Sequence, residues 1–213
     1  GDKSMGPALA DVADEKGCET VGASTGGVGA PVGPYALYGE PLVKTCTRLG
    51  TDYCDLSGEA PWMRKMIEAY SDDAKMSGAR IVHCCGFDSI PSDMGVRFLQ
   101  EQSALQFGAP CTQVKMRVKA MRGTASGGTV ASIVNIVREA THNAALRKEL
   151  INTYSLCPHD AIKATERQPN VSGPGFDADF SGWSAPCGMS GVNVRVVCGS
   201  TPRLAHASGR GCR

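Results

Sequence analysis

The stretch Gly78–Gly95, GARIVHCCGFDSIPSDMG, most constrains what this chain can fold into. A helix-stopping glycine is followed by a short apolar run, then a Gly-Phe-Asp turn, then a helix opening at Pro91. Strand, sharp turn and helix start in that order build the ligand-facing edge of an α/β sheet. The residues upstream keep the same grammar. Glu40-Pro41 opens a helix with proline in its first turn. Leu42, Val43, Cys46 and Leu49 make its apolar stripe, and Gly50 stops it. Thr51 to Leu56 reads as a strand, with Tyr53, Cys54 and Leu56 as its apolar contribution. Pro61 starts the next helix, in which Met63, Met66, Ile67, Tyr70 and Ala74 recur at helical spacing up to Gly78. Ala79 to Cys85 reads as the following strand. Turn, helix, strand, helix, strand over residues 33–85 predicts a parallel sheet with crossover helices.

Beyond Pro91–Gln102, read as a helix, the pattern changes. Gln113 to Met121 alternates strictly, with Val114, Met116, Val118 and Ala120 facing one way and Lys115, Arg117 and Lys119 the other. That is the pattern of a strand with one wet face, as in antiparallel sheets. Ser126–Thr129 reads as a turn. Val130, Ile133, Val134 and Val137 then predict an amphipathic helix, and Ala144 to Ile151 a second short one. Residues 152–180 read as loop, Arg195–Cys198 as a short strand, and 199–213 as disordered. The fold class expected is α/β, the C-terminal half of a Rossmann-type parallel sheet followed by an α+β domain with a mixed or antiparallel sheet. The corresponding segments are 1–32 irregular and poorly ordered, 33–104 a partial Rossmann domain, 105–186 an incomplete second domain and 187–213 an irregular tail.

Composition narrows the partners. Lys plus Arg number 22 against 21 Asp plus Glu, a net charge of +1, which removes the main reason to propose nucleic acid as a partner. No apolar run approaches the ~18 residues that cross a bilayer, and no signal peptide opens the chain, so a cytoplasmic location is expected. Ten cysteines are spread singly apart from Cys84-Cys85, with no C-x-x-C; reduced thiols and no metal site are expected.

Several residues invite chemistry. Gly22, Gly26 and Gly29 suggest a phosphate loop, but only Cys18–Val21 precede them and Pro31 with Gly33-Pro34 follows, so a flexible loop is the favoured reading and Gly22–Val32 is not expected to be a strand. Asp88 and Ser89 stand where one of them would cap the helix at Pro91, with a ligand or catalytic role for Asp88 as the alternative. His83, inside an apolar run, reads as a core histidine rather than a general base. Cys84 and Cys85 read as buried structural thiols rather than nucleophiles. Lys115, Arg117 and Lys119 read as a solvated strand face.

Four stretches together carry a resemblance: GPYALYGEPLV (33–43), GTDYCDLSGE (50–59), the opening stretch (78–95) and VSGPGFDADFSGWSAP (171–186). They resemble the saccharopine dehydrogenase-like oxidoreductases, a family that includes the trans-acting enoyl reductases. The resemblance implies a Rossmann domain binding NADP or NAD, then an α/β domain closing over the cofactor. It places Gly33, Pro34, Tyr35, Gly58, Glu59, Gly86 and Phe87 beside the cofactor, with Asp88 as the catalytic candidate. It further implies a small lipid-like substrate, a role in lipid or glycolipid metabolism, peripheral association with a membrane or lipid droplet, and a homodimer. The family pattern opens with a strand and a glycine-rich loop that nothing before Gly33 supplies. The chain is therefore expected to be a fragment, inactive through loss of the phosphate-binding loop. The alternative is a non-catalytic relative that binds a lipid droplet or a partner.

Overall fold

A computed structural model of the chain describes residues 27–30, 33–120, 122, 127–158, 168 and 173–207. It is α/β, with one parallel and one antiparallel sheet. Its contacts divide the chain into two units, one of residues 1–86 with 124–152 and the other of 87–123 with 153–213.

The first unit is built on a parallel sheet of order β1-β2-β3, comprising β1 (Gly27–Ala30), β2 (Asp52–Asp55) and β3 (Ile81–Val82). β1 corrects two expectations: Gly22–Val32 was read as no strand, and 1–32 as irregular. Glycine has no β-propensity of its own, yet the backbone of 27–30 pairs along β2, Val28 opposite Tyr53 and Ala30 opposite Asp55. Burial of Val28 and Ala30 at alternate positions anchors that pairing. The glycines at 22 and 26 and the disorder read for 208–213 lie outside the described residues.

Between β1 and β2 run α1 (Tyr35–Tyr38) and α2 (Glu40–Leu49); between β2 and β3 runs α3 (Ala60–Ser77). Pro41 and Pro61 sit in the first turns of α2 and α3, where the missing N–H costs nothing. Gly50 and Gly78 close them in the left-handed region, at φ 67° and 79°. α2 buries Leu42, Val43, Cys46 and Thr47, and α3 buries Trp62, Met63 and Met66. Each such large side chain contributes roughly 1.5–3 kcal/mol of burial. α2 and α3 pack together, and Gly39 is needed at their contact because a Cβ there would lie 2.5 Å from the Trp62 ring.

The register of β2 differs from the expected one. Tyr53 and Asp55 point inward, whereas Cys54 and Leu56 are exposed. Period-2 alternation forces this once Tyr53 is the buried residue. Regular β3 pairing stops at Val82, short of Cys85.

α5 (Gly127–His142) and α6 (Ala144–Ile151) also belong to this unit, with α6 packed on α3 and Asn143 capping α6 through its Oδ1, 3.0 Å from the Leu146 amide. The turn read over Ser126–Thr129 is helical from Gly127. The predicted stripe of Val130, Ile133, Val134 and Val137 is present on α5 but exposed.

The second unit pairs α4 (Ile90–Phe107) with α7 (Ser190–Ala207). The division thus differs from the expected boundary at residue 105. α4, expected beside the parallel sheet, packs on α7, while α5 and α6 join the sheet's unit. Gly108, at φ 75°, ends α4, and the side chain of Gln100 fastens the chain leaving it by hydrogen bonds to both the amide and the carbonyl of Cys111. α7 overturns the expected strand at 195–198 and the disorder read for 199–207. Valines 192, 194, 196 and 197 have strand propensity, but packing on α4 supplies the burial that decides the conformation.

β4 (Gly175–Asp177) and β5 (Gly182–Ser184) form an antiparallel hairpin that begins inside the segment read as loop, 152–180, and ends beyond it. The strand expected at 113–121 does not form. Among the described residues no strand pairs through its backbone with 113–120, and alternation without a ladder partner cannot hold a strand. The segment is instead exposed chain whose Lys115 and Arg117 form ion pairs with Asp179 and Asp177, the guanidinium lying 5.2 Å over the Phe180 ring.

Candidate functional site

Parallel pairing brings the carboxyl ends of β1, β2 and β3 to one edge, the edge at which α/β sheets hold ligands. Two buried carboxylates organise it.

The first is Glu59, 2% exposed, immediately before α3. Its Oε1 accepts the Tyr35 amide at 2.8 Å and the Ser132 hydroxyl at 2.6 Å, and its Oε2 accepts the Ala36 amide at 2.9 Å. The amides at a helix start have no partner within the helix, and here a side chain 24 residues away provides one. The Tyr35 hydroxyl in turn donates to Ala30 O at 2.7 Å and accepts the Leu56 amide at 3.3 Å, tying the end of β1 to the exit of β2. Gly33 sits where a Cβ would lie 2.8 Å from Ser132 Oγ and 3.3 Å from Glu59 Oε1, so a side chain here would force both groups to shift. The Gly33-Pro34 peptide is cis.

The second is Asp55, 1% exposed, the last residue of β2. Oδ1 accepts the amides of Ser57 at 2.9 Å and Cys84 at 3.1 Å. Oδ2 accepts the Tyr53 hydroxyl at 3.0 Å and lies 2.6 Å from His83 Nδ1; facing an acceptor-only carboxylate, that nitrogen carries the proton. Because the side chain takes the Cys84 amide, the backbone carbonyl of Asp55 is left for the next one, Cys85, at 2.7 Å. β3 therefore slips by one residue past Val82, and Cys84 is held at φ 61°, where a side chain is strained. The thiol of Cys84 is buried, donating to Ser57 O at 2.8 Å and touching Met63 Sδ at 3.3 Å. Beneath the edge, the rings of Tyr35, Trp62, His83 and Tyr53 follow in a row with centroids 5.1 to 6.0 Å apart. Trp62 Nε1 is buried and has no hydrogen-bond partner among the described residues.

Of the residues expected beside a cofactor, Gly33, Pro34, Tyr35, Gly58, Glu59 and Gly86 lie in this unit. Tyr35 and Glu59 are in direct contact, Gly58 O accepts the Ala60 amide at 3.2 Å, and Gly86 lies against Leu56, whose Cδ2 would be 3.3 Å from an added Cβ. Phe87 and Asp88 belong to the other unit, both exposed. Asp88 is held there through its backbone: Asn193 Nδ2 donates to Asp88 O at 2.8 Å, and Ser89 Oγ donates to Asn193 Oδ1 at 3.0 Å. The expected side-chain cap from Ser89 is absent: its backbone is in the helical region rather than the extended one a cap uses, and its carbonyl accepts the Ser92 and Asp93 amides.

His83 is a core histidine, as read, although its carboxylate partner was not anticipated. Cys85 is far from the low pKa a nucleophile needs: burial first, then the neighbouring Cys54 and Asp55, push its thiol up to about 11. Asp55, Ser57, Ser132 and Asn193 carry the polar network and were missed. For Asp55 one signal was available, an acidic residue two positions from Tyr53 in a strand and so on its buried face.

No family model and no solved structure matches the chain. Curated proteins do. A candidate trans-acting enoyl reductase of Mycobacterium tuberculosis is 38% identical over 184 residues, covering 84% of this chain and 44% of that protein. A trans-acting enoyl reductase of Mycobacterium bovis is 35% identical over 209 residues, covering 95% and 50%. A third, from Mycobacterium ulcerans, is 35% identical over 172 residues, covering 78% and 41%. The chain spans about half the length of these relatives or less. At this identity across most of its length the chain is similar to the trans-acting enoyl reductases, which supports an enoyl-reductase-like family.

Proposed function

We propose that the chain is part of an NAD(P)H-dependent oxidoreductase that reduces the carbon–carbon double bond of an enoyl, lipid-like substrate. The three parallel strands are, on this reading, half of a Rossmann-type sheet in a saccharopine dehydrogenase-like protein. The observation that carries the proposal is the likeness to proteins named for enoyl reduction, over 84% and 95% of the chain. Convergence of three strand ends on one edge is consistent with it. When bound, the nicotinamide would supply the hydride; a proton must reach the adjacent carbon, and exposed Asp88 is the candidate donor.

The helix start at Tyr35–Ala36 is not where the cofactor's pyrophosphate would sit. Such groups are held by helix-start amides, and those of Tyr35 and Ala36 are already taken by Glu59. Gly33, Pro34, Tyr35, Gly58, Glu59 and Gly86 would then border another part of the cofactor.

Isothermal titration of the chain with NADPH and NADH tests the reading: micromolar binding supports it, and absence of heat up to millimolar ligand refutes it for this chain. The exposed apolar stripe of α5 favours a second reading, a non-catalytic module that docks a partner or lipid surface. Among the described residues no helix is long and apolar enough to cross a membrane, so such an attachment would be peripheral.

A further inference from the structure

We infer that Cys54 and Cys85 are a redox-active thiol pair at the carboxyl edge of the sheet. A hydroperoxide oxidises them to a disulfide that ties β2 to the turn after β3. The pair takes no part in the proposed hydride transfer, so it stands independently of the oxidoreductase reading.

The slip at Cys84 brings the pair together. Cys54 and its ladder partner Val82 lie on the exposed face of the sheet. Unbroken alternation after Val82 would turn Cys84 out with them and Cys85 in. The left-handed Cys84 reverses the two, as an extra residue in a strand re-aims the side chains that follow it. The thiol of Cys84 is buried against Ser57 O and Met63, and that of Cys85 comes outward. There Cys85 Sγ folds back along β3, 3.5 Å from Val82 O and 4.0 Å from His83 O. The next residue, Gly86, lies against Leu56, so the chain at 85–86 runs beside 54–56. The Cys85 thiol therefore stands beside that of Cys54, one of the neighbours that keep it protonated.

Exposure assigns the order of events. Cys54 is exposed and meets the oxidant, while half-buried Cys85 is the resolving thiol. The Cys54 thiolate attacks the peroxide, forming an S–O bond and breaking O–O; the departing hydroxide takes the thiol proton and leaves as water. Cys85 sulfur then attacks the sulfenic sulfur of Cys54. An S–S bond forms, S–O breaks, and the leaving hydroxide takes the Cys85 proton as a second water. Both thiols are oxidised and the hydroperoxide is reduced. Burial keeps the thiolate fraction of Cys85 small at neutral pH, and its fixed place beside Cys54 offsets that.

Thiol mapping by mass spectrometry tests this without reference to activity. The reduced chain is treated with equimolar hydrogen peroxide, quenched with catalase, then denatured, alkylated with iodoacetamide and digested with trypsin. Cys54 and Cys85 should lose alkylation together and appear as one linked peptide pair that dithiothreitol separates. Fragmentation of that pair should place the link at Cys85 and not at Cys84. When the oxidation is run in urea, the preference for this link over other Cys54 disulfides should fall about tenfold or more. Cys85→Ser should abolish the link and let dimedone trap Cys54 as the sulfenic acid; Cys54→Ser should leave Cys85 unlabelled by dimedone. Oxidation of Cys54 to a sulfinic acid or an intermolecular disulfide with Cys85 still alkylated overturns the inference. So does a link to Cys84, or an equal preference in urea. These wild-type outcomes decide the matter even if neither variant folds. NADPH binding without the link removes this inference alone; the link without NADPH binding removes the oxidoreductase reading alone.

Discussion

Replacing Asp55 tests whether the carboxyl edge is held by its buried acid or merely contains it. Four donors converge on the side chain: the Ser57 and Cys84 amides, the Tyr53 hydroxyl and His83 Nδ1, at 2.6 to 3.1 Å. Asp55→Ala leaves all four in a site the wild-type side chain nearly seals. The two amides cannot turn away, and each buried donor without a partner costs about 1–3 kcal/mol. The hydroxyl and the imidazole can partly relax, so the total is about 4–6 kcal/mol, a large share of the ~5–15 kcal/mol that holds a domain folded. Asp55→Asn separates charge from geometry. Its oxygen can still serve both amides, while its amide group faces a hydroxyl and an imidazole that can each accept, the latter in its other tautomer; a cost of about 1–2 kcal/mol follows. Tyr53→Phe removes one donor and leaves Oδ2 served by His83, for about 1 kcal/mol. Urea unfolding followed by circular dichroism gives the three numbers. Trp62, 5.1 Å from His83, provides a local fluorescence probe of the same edge. Asp55→Ala within 1 kcal/mol of wild type, or Asn as damaging as Ala, would refute the reasoning.

Two helix stops of the same type should respond differently to the same change. Gly50→Ala and Gly78→Ala both force a side chain into the left-handed region, for about 1–2 kcal/mol each. At Gly50 the new Cβ would also lie 3.0 Å from Ser77 O, whereas nothing lies within 4 Å at Gly78. Calorimetric melting should therefore rank Gly50→Ala as the more damaging, and the reverse order would count against the packing of that turn. The thiols should separate by pH. Burial pushes Cys46 up to about 12 and, as the leading cause, Cys85 and Cys198 up to about 11. A raised pKa means that the reactive thiolate is scarce at neutral pH and accumulates only as the pH climbs toward those values. Iodoacetamide at pH 8, read by mass spectrometry, should label exposed Cys54 and Cys187 first and Cys46 only on unfolding. Equal labelling of Cys46 and Cys187 would contradict the buried placement of α2.

The parts that could be read from the sequence are those whose cause is local. Pro41 and Pro61 start helices and Gly50 and Gly78 end them because φ preference and a missing N–H belong to single residues. Where the cause lies across the sheet, local reading misleads. Gly27–Ala30 has little strand propensity outside Val28 and becomes a strand because β2 offers a ladder, while 113–120 has good alternation and stays unpaired for want of one. The valines of α7 show the same dependence, since α4 decides that they are helical.

The functional edge belongs to the second class. The family resemblance makes Gly33, Pro34 and Tyr35 a cofactor-side turn, and a helix start offers amides that have no partner inside the helix. Whether those amides are free depends on what lies 24 residues further along the chain. Glu59, which stands beside Gly58 and invites a ligand-facing reading of its own, answers the first turn instead. The same holds at Asp55, whose side chain takes the Cys84 amide and so displaces β3 by one residue, turning His83 onto a buried acid rather than into a regular ladder. Both turns thus spend their most conspicuous polar groups on each other. Polar residues that are spent in this way cannot also recognise a ligand, so the search for groups that touch cofactor or substrate should move to exposed residues, Asp88 first among them.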